Sequence, residues 1–178
     1  MAALSAVGRI GNFIAWRRHA RGARVMTSSP SRIAPSRVAI GCDHAGFPLK
    51  APLVAALRAA GHDVLDQGTH GPDRVDYPDH AHAVCRAVQA GDADFGVLIC
   101  GSGIGMSIAA NRHRGIRCAL VGEATSAGLC RAHNDANVVA LGARLIGVDL
   151  ALDILRVFLA TPYEGGRHDL RLAKLAPV

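Results

Sequence analysis

Apolar residues in this chain fall into short unbroken runs, separated by longer stretches with helical spacing. RVAIGC (37–42), FGVLIC (95–100), IRCALV (116–121) and ANVVAL (136–141) have the length and composition of strands buried on both faces, and HDVLD (62–66) is a shorter one. LKAPLVAALRAAG (49–61) repeats apolar residues at helical spacing and stops at Gly61. Pro52 within it predicts either a first-turn position or a kink. Further helices are predicted over about 79–90 ending near Gly91, from within GSGIGMS (101–107) to before Gly115, over about 124–132, and over GVDLALDILRVFLA (147–160), which Thr161-Pro162 stops. QGTHGPDRVDYPD (67–79) reads as a polar loop and YEGGRHDLRLAKLAPV (163–178) as a polar tail.

Strands alternating with helices at this spacing predict βαβ units. The expected fold is α/β: a three-layer, Rossmann-like, five-stranded parallel sheet with helices on both faces. In such sheets ligands bind beyond the carboxyl ends of the strands. The first strand ends at Asp43-His44 and the third at Cys100-Gly101-Ser102, while His133-Asn134 follows the fourth helix. These polar, reactive side chains are therefore expected together at one ligand edge.

Composition sharpens this picture. The chain has 178 residues, half of them hydrophobic and only 4% aromatic, so one core must be built from Ala, Val, Ile and Leu. No apolar run approaches the roughly 20 residues needed to span a bilayer. The net charge of +6 is concentrated at one end: residues 1–42 hold seven arginines and no acid, leaving 13 basic and 14 acidic residues in the rest. The body is thus near neutral, which argues against nucleic acid as its partner. Residues 1–36 read as a basic extension outside the folded domain 37–178. The alternatives for it are an organelle transit peptide, a disordered tail or an upstream start, with Met26 a second candidate initiator. The expected location is cytoplasmic, or organellar if the extension targets the chain. Five cysteines at 42, 85, 100, 118 and 130 form no C-x-x-C pair, which suits free thiols in a reducing compartment.

The candidate chemistry gathers around ICGSGIGMS. Glycines there let backbone N–H groups line a concavity suited to a phosphate or an oxyanion, or simply make a tight strand-to-helix turn. The pattern is not G-x-G-x-x-G, because Met106 holds the last position. Cys100, directly before the loop, is either a packing residue or a reactive thiol, and a thiol must lose its proton to react. The other four cysteines read as packing. Asp43-His44 can bind hydroxyls or move protons, or can cap a turn. His133-Asn134-Asp135 is either a proton-transfer group or a helix end. His80 and His82 are two apart and do not share a helix face, so no metal is expected. Arg167 and Arg171 are four apart and, with Arg144, form a candidate phosphate cluster.

Taken together, IGCDHAGFPLK, DYPD, ICGSGIGMSIAANR, HNDAN and YEGGRH resemble the type B ribose-5-phosphate isomerase family, whose superfamily includes galactose-6-phosphate isomerase. The resemblance covers about residues 37–175. It implies aldose–ketose isomerisation of a sugar phosphate, ribose 5-phosphate to ribulose 5-phosphate, without metal or other cofactor. It implies Cys100 as the base, with Gly101, Ser102, Gly103, Ile104 and Gly105 holding the enediolate. His133 would open the sugar ring, and Asp43, His44 and Tyr77 would contact it. Asn134, Arg144, Arg167 and Arg171 would bind substrate and phosphate. The family divides between a cysteine base and a glutamate further along the loop; with Gly105 there, this chain falls in the cysteine group. Homodimers or homotetramers with sites drawing on both subunits are implied. The alternatives are a six-carbon substrate, such as allose or galactose 6-phosphate, and a non-catalytic sugar-phosphate sensor. A sensor predicts loss of the base or of the histidine, and both are present.

Overall fold

The computed structural model describes residues 34–175, so the reading of residues 1–36 falls almost wholly outside the described residues. The elements follow in the order β1 (Arg37–Cys42), α1 (Phe47–Ala59), β2 (Asp63–Asp66), α2 (Tyr77–Ala90), β3 (Phe95–Cys100), α3 (Ile104–Ala110), β4 (Cys118–Leu120), α4 (Ala124–Asn134), β5 (Val138–Gly142) and α5 (Val148–Ala160). A 3-10 turn (Gly166–His168) and α6 (Asp169–Ala173) complete the set. All strand pairs are parallel, and the order is β2-β1-β3-β5-β4.

That order decides the layers. Parallel crossovers are right-handed, so the two steps toward the β2 edge, β1 to β2 and β4 to β5, place α1 and α4 on one face. The steps in the other direction, β2 to β3 and β3 to β4, place α2 and α3 on the opposite face. The packing agrees: α1, α4 and α5 share one apolar cluster, and α2 and α3 share the other. Strand alternation makes the two faces unequal. Val38, Ile40, Val97, Ile99, Val139 and Leu141 fill the first, while the second is lined by smaller residues such as Ala39, Cys100 and Ala140. Glycines at 41 and 96 let α2 lie close to the sheet: a methyl on either would come within 2.9 Å of a Val84 methyl.

The structure adjusts the sequence reading at several ends. Pro48 occupies the first turn of α1, and Pro52 lies in the second, where its missing N–H removes one helical bond. Helix α2 begins at Tyr77, which brings that ring to the top of a helix instead of a loop. β4 is half the predicted length. It is an edge strand pairing only with β5, and its free side is met by Asn111, whose amide both donates to Cys118 O and accepts from Cys118 N–H at 2.9 Å. The tail is partly helical, because α6 forms after the glycine pair Gly165-Gly166, both at positive φ.

Candidate active site

The strand order reverses at β1 and β3, so a crevice opens beyond their carboxyl ends. Cys100 closes β3 there, 6% exposed, and its Sγ accepts a hydrogen bond from Gly103 N–H at 3.1 Å. A sulfur that has lost its proton thus has a backbone donor already aimed at it. Gly103 has φ +77°, and a methyl on it would meet Leu120 Cδ1 at 2.5 Å and the Leu141 carbonyl carbon at 3.0 Å. Only glycine makes this turn. Helix α3 has seven residues, so the loop acts through individual N–H groups and not through a long helix dipole. Ser102 Oγ accepts from Ile104 N–H at 3.3 Å. The Arg144 guanidinium lies over Gly101, and the Tyr77 ring lies against Gly105, where a methyl would come within 2.7 Å of it.

Asp43 follows β1 and is buried; its Oδ1 accepts from Gly46 N–H at 2.9 Å. The turn-capping role is therefore real, and it uses one carboxylate oxygen while leaving the other. His44 Nδ1 lies 3.3 Å from Val75 O and 3.4 Å from Val75 N. The carboxyl edge thus assembles Asp43, His44, Tyr77, Cys100, Gly101, Ser102, Gly103, Ile104, Gly105 and Arg144.

His133, Asn134, Arg167 and Arg171 are elsewhere. Helix α4 starts at the carboxyl edge and runs back antiparallel to the strands, so it carries His133 about 14 Å toward the amino edge. Arg131 fixes that end: its guanidinium sits 4.9 Å over the Phe95 ring, at the amino end of β3, and donates to Asp135 Oδ1 and Ala136 O. Arg117, just before β4, holds the other Asp135 oxygen at 2.6 Å. The expectation that these side chains gather at one ligand edge is therefore corrected. His133 sits in the last turn of a helix that reverses the chain's direction after the carboxyl edge. With strands rising about 3.3 Å per residue, Cys100 and His133 sit at opposite ends of a sheet roughly 17 Å deep.

At the amino edge, the His133 and His168 rings stack at 4.5 Å, and Glu164 Oε2 lies 3.9 Å from His133 Nε2 and 3.6 Å from His168 Nε2. Burial, then His133 and Arg167, push the His168 imidazole below its ordinary range, and its Nε2 accepts from Arg167 Nε–H at 3.3 Å. A cavity of about 280 Å³ is lined by His133, Asn134, His168, Arg171, Leu172 and Leu175. Glu164 and His168, absent from the expected site, complete this cluster; the motif YEGGRH contained them without marking them. The three donor atoms of His133, Glu164 and His168 lie within 4.8 Å of one another, a spacing a metal ion could use. Arg167 Nε–H already occupies His168 Nε2, the nitrogen that faces Glu164. His80 and His82 turn to separate partners, Gln67 O and His113.

The remaining cysteines behave as packing groups. Cys42 and Cys85 are in the two cores, and burial pushes both thiols up to about 11. Cys130 is pushed to about 11 and Cys118 further still, again by burial.

The ribose/galactose isomerase family profile matches residues 38–175. The chain is 47% identical to ribose-5-phosphate isomerase B of Escherichia coli (strain K12), over 80% of this chain and 95% of that protein. It is 37% identical to the galactose-6-phosphate isomerase subunit LacB of Clostridium acetobutylicum, over 77% and 79%. Among solved structures, the ribose 5-phosphate isomerase of Thermotoga maritima superposes with a TM-score of 0.79 at 48% identity, covering 80% of this chain and 99% of that one. The type B enzyme of Trypanosoma brucei superposes with a TM-score of 0.77 at 50% identity, covering 79% and 97%.

Proposed function

The chain belongs to the ribose/galactose isomerase family, and from that premise we propose that it interconverts ribose 5-phosphate and ribulose 5-phosphate. The observation that carries the reading is the buried Cys100 thiol at the end of β3, with Gly103 N–H on its sulfur and a glycine loop beside it. Cys100, as thiolate, takes the proton from C2 of the open-chain aldose. O1 gains a proton and O2 gives one up while the enediolate is held by loop N–H groups and Ser102. The thiol then returns its proton to C1, leaving the ketose. His133 supplies a proton to the ring oxygen as the ring C–O bond breaks and the C1 hydroxyl becomes a carbonyl, its proton passing to water. Arg167 and Arg171, with Arg144 and Asn134, anchor the phosphate, whose binding energy orients the reacting carbons.

Cys100 and His133 lie at opposite sheet edges in one chain, so a site using both draws them from two copies. The working form is a homodimer, or a homotetramer built from dimers, with shared sites. Ile104, Ile108, Leu120 and Leu145, all exposed near the carboxyl edge, supply apolar surface for that contact. Residues 37–178 form the isomerase domain. Among the described residues no helix is long and apolar enough to cross a membrane; the site of action is the cytoplasm, or an organelle if residues 1–36 direct it there.

The test is turnover of ribose 5-phosphate beside allose 6-phosphate by the full chain and by Cys100→Ala. Pentose turnover that falls about 10³-fold in the variant is expected. Full activity in Cys100→Ala would remove the thiol from the mechanism. Turnover of the hexose alone would move the substrate, and turnover of neither would leave the sensor reading.

A further inference from the structure

Lys50 is 4% exposed, and every acceptor it meets lies in one segment. Its Nζ donates to Asp66 Oδ1 at 2.6 Å, Asp66 Oδ2 at 2.8 Å and Thr69 O at 2.8 Å. Asp66 Oδ1 also accepts from Gly68 N–H at 2.9 Å. The short turn so locked continues the sheet beyond the end of β2. Cys42 N–H donates to Gly68 O at 2.7 Å, and Thr69 N–H donates to Cys42 O at 2.8 Å. Cys42 is the residue before Asp43. On its other side the turn seats α2, because His80 Nδ1 contacts Gln67 O at 3.0 Å and its ring packs on Gly68. Helix α2 begins with Tyr77, and the same connection delivers Val75 to His44.

Lysine is costly to bury, and here the cost is offset by three acceptor atoms that all lie in one segment. The connection between β2 and α2 pairs with Cys42 beside Asp43, meets His44 through Val75 and leads into Tyr77, and Lys50 pins its start. We propose that Lys50 is a positioning residue for substrate: through Asp66 and Thr69 it sets the 67–76 connection that orients Asp43, His44 and Tyr77, without touching the sugar itself. The inference rests on the isomerase reading above.

The test compares full-length wild type with Lys50→Met, which keeps the length of the side chain and removes its charge. KM for ribose 5-phosphate is expected to rise about tenfold or more, with a smaller change in kcat, because the Cys100 loop is untouched. Amide exchange at Gly68, Thr69 and Val75 is expected to accelerate while β3 and β5 stay protected. A folded Lys50→Met with wild-type KM and kcat would overturn the inference. If Lys50→Met fails to fold, the pair Lys50→Met with Asp66→Leu removes both charges and leaves none orphaned. The raised KM is still expected there, and a wild-type KM in the pair would equally overturn the inference. Wild-type protein that turns over no sugar phosphate would instead refute the isomerase reading on which it rests.

Discussion

At the scale of single residues, the glycine loop after Cys100 is governed by two glycines with different roles. Gly103 has positive φ and faces the Leu141 backbone, neither of which can yield, although the half-exposed Leu120 side chain can move aside. Gly103→Ala is expected to cost about 1–3 kcal/mol in urea unfolding and to abolish turnover. Gly105 meets only the Tyr77 ring, which is 40% exposed and free to swing outward. Gly105→Ala is expected to keep wild-type stability and raise KM; equal loss of stability in both variants would contradict this account. Sequence alone marked the loop, since three glycines after an apolar run are conspicuous. It left each glycine's role open, because the contacts come from Leu120, Leu141 and Tyr77, distant in the chain.

At the scale of elements, β1, β3 and β5 were legible because a strand buried on both faces is an unbroken apolar run. β4 was overextended, since apolar residues 116 and 121 continue past the three positions that find a strand partner. Helix α6 was missed because a five-residue helix among charged residues carries no periodic signal. Helix α4 starts from a definite cap: the Glu123 carboxylate accepts from Thr125 N–H and, at 2.6 Å, from Ser126 N–H. The Ser126 bonds, more than burial opposes, hold the Glu123 carboxyl below its usual range. A depressed carboxyl contributes stability above its unfolded value that disappears as pH falls through its folded one. Glu123→Gln is therefore expected to melt below wild type at pH 7, with the gap closing as the pH is lowered past the usual carboxylate range. A gap independent of pH would show that the charge is not what caps the helix.

At the scale of the whole molecule, the sheet separates the residues of the proposed site. The fold class and strand count followed from pattern, but which edge each residue reaches depends on how far a helix travels before the chain turns. If one site takes Cys100 from one copy and His133 from another, two inactive variants can repair each other. Cys100→Ala and His133→Ala, each inactive, should regain about a quarter of wild-type activity after equal mixing and exchange of subunits, since half the dimers are mixed and each has one intact site. No recovery despite proven exchange would place both residues in a site made by one chain.

The opposed placement of Cys100 and His133 also has a genetic reading. If the site is shared, either lesion alone would leave a mixed dimer with wild type one working site, and so behave as nearly recessive. A chain carrying both lesions would then spoil both sites of every dimer it enters, because it would offer its partner's thiol no histidine and its partner's histidine no thiol. Dominance of the double allele over each single one would follow from nothing more than the direction in which α4 runs.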